Sequence, residues 1–162
     1  MKELTDMLLL LAEHNVDFVV VGGYAAVAYG SSLVTQDIDI CCDFSPENLL
    51  RLQSALGNYH PVHRMTSKRL PLVLTREGCK GLKNLYLDTD IGQLDCLGAV
   101  LGVGDFERVK QHSILIEMDG MECRLIGLEA LIKAKKAMGR PRDLVAVQEL
   151  EAIKERIEKE VE

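Results

Sequence analysis

"VVVGGYAAVAYGSSLVTQDIDI", residues 19–40, decides how the rest of the chain is read. A β-branched run ends in Gly22-Gly23, a small-residue stretch follows, and Asp37 and Asp39 then stand one residue apart inside a second apolar run. "DFVVVGG" reads as a short strand stopped by glycine. Residues 24–30 make two turns of helix closed by Gly30 as its C-cap, and "DIDICCD" is a second strand. Residues two apart on a strand share a face, so Asp37, Asp39 and Cys41 lie on one side and Ile38, Ile40 and Cys42 on the other, the core side. The two carboxylates spring from backbone positions roughly 6–7 Å apart. At an effective dielectric of about 20 they repel by about 2–3 kcal/mol, a cost that something must offset.

A hard divalent cation with oxygen ligands is the usual solution, and Mg2+ typically binds through one or two carboxylates together with substrate phosphates. The glycines supply the other half of such a site. A strand that ends in Gly22-Gly23 and opens a helix directs free backbone N–H groups at one point, and the missing Cβ atoms let a ligand approach closely. A D-x-D alone is an ordinary surface pattern, and Gly-Gly after a strand is an ordinary turn. Their combination within one strand–glycine–helix–strand unit points to phosphate at the turn, metal on the aspartates, and phosphoryl or nucleotidyl transfer.

Working outward, residues 3–14 read as an amphipathic helix with Leu4, Met7, Leu8 and Leu11 on one stripe. Ser45-Pro46-Glu47 has the form N-cap, N1, acidic first turn, and opens a helix to about Leu56. Residues 58–81 are basic and turn-rich. "NLYLDTDIGQLDCLGAV" forms a hairpin turning over residues 88–92, and "SILIEMDGMECRLI" a second one turning at Asp119-Gly120. "LEALIKAKKAM" is a helix ended by Gly139, and Pro141 opens the last helix. The order is α-β-α-β-α, paired strands, then two helices. It predicts an α/β (α+β) fold, a mixed sheet flanked by helices, as one domain over residues 1–162 with a C-terminal helical part at 127–162.

The 162 residues are 48% hydrophobic and 27% charged, which suits one globular domain with a substantial core. The net charge of −6 disfavours a surface that coats nucleic acid in general. "MLLLLAEH" is too short to span a bilayer, and the start of the chain has no signal-peptide pattern. A soluble, cytoplasmic protein with no membrane partner is expected. Five cysteines, an odd number without C-x-x-C, read as core thiols rather than a disulfide framework or a zinc site.

Other chemistries find no support. There is no G-x-G-x-x-G after a strand and no G-K-[ST], and "YGSSL" is not a G-x-S-x-G elbow. His60 and His63 are split by Pro61 and read as loop residues; His14 and His112 are isolated. Two-metal chemistry asks for a further acid. Asp88 and Asp90, followed by Gly92, look like turn residues. Asp95 sits mid-strand between Leu94 and Cys96, where a desolvated carboxylate needs a partner. If that strand lies beside Asp37 and Asp39, Asp95 completes the set as base or ligand. Ser31, with Ser32 beside it, is a candidate hydrogen-bond partner for a phosphate.

These residues resemble the signature of the DNA polymerase β-like nucleotidyltransferase superfamily, and most of all its small bacterial members of the abortive-infection and toxin–antitoxin type. The likeness runs through "DIGQLDCLGAVLGVGDFERV" and "LIGLEALIKAKKAMGRPRDLVAVQELE", and covers roughly residues 16–151. It implies that Gly22 and Gly23 cradle nucleotide phosphates, that Asp37 and Asp39 hold Mg2+, and that Asp95 is the third acid. Lys135 falls on the family's helix lysine, near the triphosphate or paired with Asp143. The neighbouring Lys133, Lys136, Arg140 and Arg142 read instead as a solvated helix end. One departure is plain: where many relatives carry an arginine ahead of the D-x-D strand, this chain has Leu33.

The expected function is Mg2+-dependent transfer of a nucleoside monophosphate from an NTP to an acceptor, whether tRNA, protein or a small molecule. The alternative is an inactive nucleotide-binding or interaction module of the same fold, such as a toxin–antitoxin component with a protein partner. A third possibility is a structural protein whose acids only decorate its surface.

Overall fold

A computed structural model describes residues 2–161. Among them the helices are α1 (Lys2–Glu13), α2 (Gly22–Ala28), α3 (Pro46–Leu56), α4 (Phe106–Gln111), α5 (Leu128–Met138) and α6 (Pro141–Val161). The strands are β1 (Phe18–Val21), β2 (Asp37–Cys42), β3 (Val62–His63), β4 (Asn84–Thr89), β5 (Gly92–Leu97), β6 (Ala99–Val100), β7 (Gly104–Asp105), β8 (Ser113–Met118) and β9 (Met121–Ile126). Seven strands form a sheet in the order β3-β4-β5-β2-β1-β9-β8, and β6 and β7 pair separately. β1 runs antiparallel to β2 and parallel to β9, and β2 runs parallel to β5. This is the mixed α/β sheet flanked by helices that the pattern predicts.

Local chemistry sets the elements. Ser45 caps α3, its hydroxyl accepting the Asn48 N–H at 3.3 Å, with Pro46 in the first turn. Asp119 and Gly120, at φ of 47° and 82°, supply the two positive-φ positions that a tight β8–β9 hairpin requires. α2 ends in a six-to-one hydrogen bond from Ser31 N–H to Ala26 O and an inner one from Gly30 N–H to Val27 O, both 2.9 Å. Gly30 is the residue just past the C-cap Tyr29. Met7, Leu8 and Leu11 of α1, Leu49, Leu52 and Leu56 of α3, and Ile38, Ile40, Leu94 and Cys96 of the sheet are fully buried in one core. The five thiols are all buried and unbridged.

Two local readings change. α2 begins at Gly22 itself, not at residue 24, so the glycines are its first turn rather than a turn before it. Strand β5 stops at Leu97, and the chain then makes the β6–β7 hairpin and α4. Asp105 caps α4 by accepting the Arg108 N–H at 3.0 Å. A six-residue helix is too short to show a hydrophobic period.

Candidate active site

β2 carries Asp37 and Asp39, and β5 carries Asp95. Because the two strands pair in parallel with Asp39 opposite Asp95, the third acid falls directly beside the second. One carboxylate oxygen from each of Asp37, Asp39 and Asp95 lies within 4.8 Å of the others. Burial, then the Asp95 and Asp37 charges, push Asp39 from its ordinary 3.8 up to about 7, although Lys135 and Arg64 pull the other way. Asp39 is thus costly to ionise where it stands, chiefly because it is out of water.

Gly22 meets the same carboxylate from below. It has φ of 68°, and a Cβ there would sit 2.2 Å from Asp39 Oδ2. The glycine therefore makes room for Asp39 as well as leaving backbone open. A Cβ on Gly23 would come 3.1 Å from Thr35 Oγ1, whose hydroxyl donates to Asp37 O at 3.0 Å. The glycine turn and the segment leading into β2 are packed together on one side of the acids.

A cavity of about 340 Å³ opens there, with Gly23, Thr35, Asp37, Asp39, Lys135, Arg140 and Arg142 in its wall. Two of its cations are tied to Asp143, which is only 1% exposed. Arg140 donates to Asp143 through Nε at 2.6 Å and Nη2 at 3.2 Å, and Lys135 Nζ lies 3.7 Å from Asp143 Oδ1. The Arg140 hydrogen bonds hold the Asp143 carboxyl below its ordinary range. Leu33 and Val34 stand at the rim, exposed.

The remaining predicted residues are placed as follows. Ser31 is buried, and its hydroxyl accepts the Leu33 N–H at 3.2 Å. Ser32 gives Glu149 two bonds of 2.7 Å, so both serines fasten the loop ahead of β2. Asp88 pairs with Arg69, and Asp90 with His60 at 2.6 Å, away from the cluster.

The residue that sequence reasoning missed is Arg64. Its Nη1 donates to Asp95 Oδ1 at 2.6 Å, with the two side chains 19% and 16% exposed. The only trace in the sequence is the basic run of residues 64–76, whose other arginines are spent elsewhere: Arg69 on Asp88 and Arg76 on Glu47. Arg140 and Arg142, read as a solvated helix end, are exposed and also line the cavity. The spacing of charges past a C-cap is legible only as the first, and the packing of α6 against α5 adds the second.

Three carboxylates with converging oxygens are a donor set for a hard divalent cation, and such an ion would offset the cost of ionising Asp39. No family model matches the chain, and no curated protein does. Solved structures do. The lincosamide antibiotic adenylyltransferase LnuA, lincomycin-bound, is similar with a TM-score of 0.62 at 17% identity, over 94% of this chain and 96% of that one. An antigenic nucleotidyltransferase-like protein from Paracoccidioides brasiliensis gives 0.59 at 14%, over 94% and 75%. ANT(2")-Ia, in complex with adenylyl-2"-tobramycin, gives 0.52 at 15%, over 96% and 95%. The chain has the nucleotidyltransferase fold. Among the described residues no helix is long and apolar enough to cross a membrane.

Proposed function

We propose that the protein transfers a nucleoside monophosphate from an NTP to a hydroxyl of a small-molecule acceptor, with Mg2+ as cofactor. The observation that carries this reading is the convergence of Asp37, Asp39 and Asp95 beside the glycine turn of a nucleotidyltransferase fold. Asp37 and Asp39, with Asp95, would hold the cation. Bound there, Mg2+ would neutralise charge on the triphosphate and on the departing pyrophosphate.

The protein's own groups do the rest. Gly23 lines the cavity that would take the phosphates, Gly22 makes room for Asp39 beside it, and Lys135, Arg140 and Arg142 face the same cavity with positive charge. Ser31 contributes by ordering the loop that forms the cavity's edge. The acceptor oxygen attacks the α-phosphorus, the bond to the β-phosphate oxygen breaks, and the acceptor's proton passes to the Asp95 carboxylate. A small acceptor is favoured over tRNA by the net charge of −6 and by the antibiotic ligands named for two proteins of the same fold.

Calorimetric titration of ATP, CTP, GTP and UTP, with and without Mg2+, tests this reading. Wild type should bind at least one NTP only with metal, and the Asp37→Ala/Asp39→Ala protein none. No binding by wild type sinks the reading. Leu33 at the rim, in place of the arginine expected there, favours a second reading: a module that binds nucleotide without turnover, as in a toxin–antitoxin pair. Metal-dependent binding without pyrophosphate release across a panel of hydroxyl acceptors would select it.

A further inference from the structure

Arg64 reaches the acids by a definite route. Its backbone N–H donates to Tyr86 O at 2.8 Å, continuing the β3–β4 ladder. Tyr86 is the cross-strand partner of Asp95, and Asp95 of Asp39. Arg64, Tyr86, Asp95 and Asp39 therefore stand in one row across the sheet. The guanidinium lies 5.9 Å from the Tyr86 ring centroid and passes on to Asp95. With its backbone in the ladder, its cation over a ring and its head largely out of water, this is not one of the loose surface pairs that contribute little.

We propose that Arg64 is a positioning residue that stands in for a cation at Asp95 in the nucleotide-free protein. It claims one of the two Asp95 oxygens and adds a positive charge beside Asp37 and Asp39. Free divalent metal then meets an incomplete ligand set and a competing cation. Metal is retained only when a nucleotide brings phosphate oxygens that make up the shortfall. The inference rests on the reading of the three acids as a cation site.

Mn2+ alone, titrated into the full chain and followed by electron paramagnetic resonance, tests it. Arg64→Met should bind Mn2+ about tenfold more tightly than wild type, since a unit charge at hydrogen-bond distance biases a site by that order. Arg64→Lys should stay near wild type, and Arg64→Gln serves if the methionine variant does not fold. Equal or weaker Mn2+ binding by a folded Met or Gln variant overturns the proposal while leaving the cation site standing. Binding by neither protein overturns the proposal and leaves the cation site to the NTP titration, whereas binding that survives Asp37→Ala/Asp39→Ala overturns both. A merely structural arginine would lower the melting temperature without tightening metal.

Discussion

Strands β2 and β5 carry two chemistries one residue apart. Ile38, Ile40, Leu94 and Cys96 are fully buried, while Asp37, Asp39 and Asp95, interleaved with them, form the acid cluster. The same parallel register that sets Ile40 beside Cys96 sets Asp39 beside Asp95. The apolar face contributes stability through burial and asks nothing of ligands. The acid face spends stability, because like charges are held together and partly desolvated. The difference shows that one pairing decision builds both the core and the site, so neither can slip without the other.

Substitutions that separate the faces should differ in kind. The largest effect is expected from Asp95→Asn, which keeps the shape and removes the carboxylate proposed to accept the proton. Turnover should fall by about 10²–10⁴-fold while NTP binding persists, as measured by pyrophosphate release beside calorimetry. On the other face, Leu94→Ala should cost about 2–5 kcal/mol in urea unfolding through the cavity it leaves. Nucleotide affinity at a denaturant-free temperature well below the midpoint should stay the same.

The smallest effect sharpens the contrast through pH. Asp39 titrates near its ordinary 3.8 when unfolded and at about 7 when folded. The native state therefore binds the extra proton between those values, and stability falls as pH rises through that window. Asp39→Asn should melt a few degrees higher than wild type above pH 7 in metal-free buffer, with the gain shrinking on acidification and gone near pH 4. No gain at any pH would mean that the carboxylate is solvated rather than penalised, and an equal gain at all pH values would trace it to packing or hydrogen bonding instead of charge. Cation binding, which needs the ionised form, should strengthen over the same interval.

What the sequence made legible was what local chemistry encodes. The cap at Ser45-Pro46, the turn at Asp119-Gly120 and the alternation in "DIDI" each specify their element within a few residues. Mid-strand Asp95 is out of place for a local reason too, since an acid between Leu94 and Cys96 needs an account. Arg64 left no such mark. Its partner lies 31 residues away, across a hairpin edge, and nothing periodic links them. Arg140 and Arg142 are solvated as read, but that they also border a cavity left no mark, because the cavity is made by the helix that follows. The start of α2 was misplaced because a glycine pair normally closes a strand, and only contact with Asp39 explains a helix that opens on it.

Parallel pairing of β2 with β5 has a consequence for how the molecule is made. Parallel neighbours cannot be joined by a tight hairpin. The chain must first complete α3, the basic loop and β4 before β5 can dock beside β2. Loop-closure entropy is paid in full before that contact returns anything, which places it late on the folding route. The three carboxylates thus meet only when most of the core already exists to restrain them. A nascent or partly unfolded chain carries two acids on one strand and no assembled cluster, so the cation site proposed here exists only once β5 has docked beside β2.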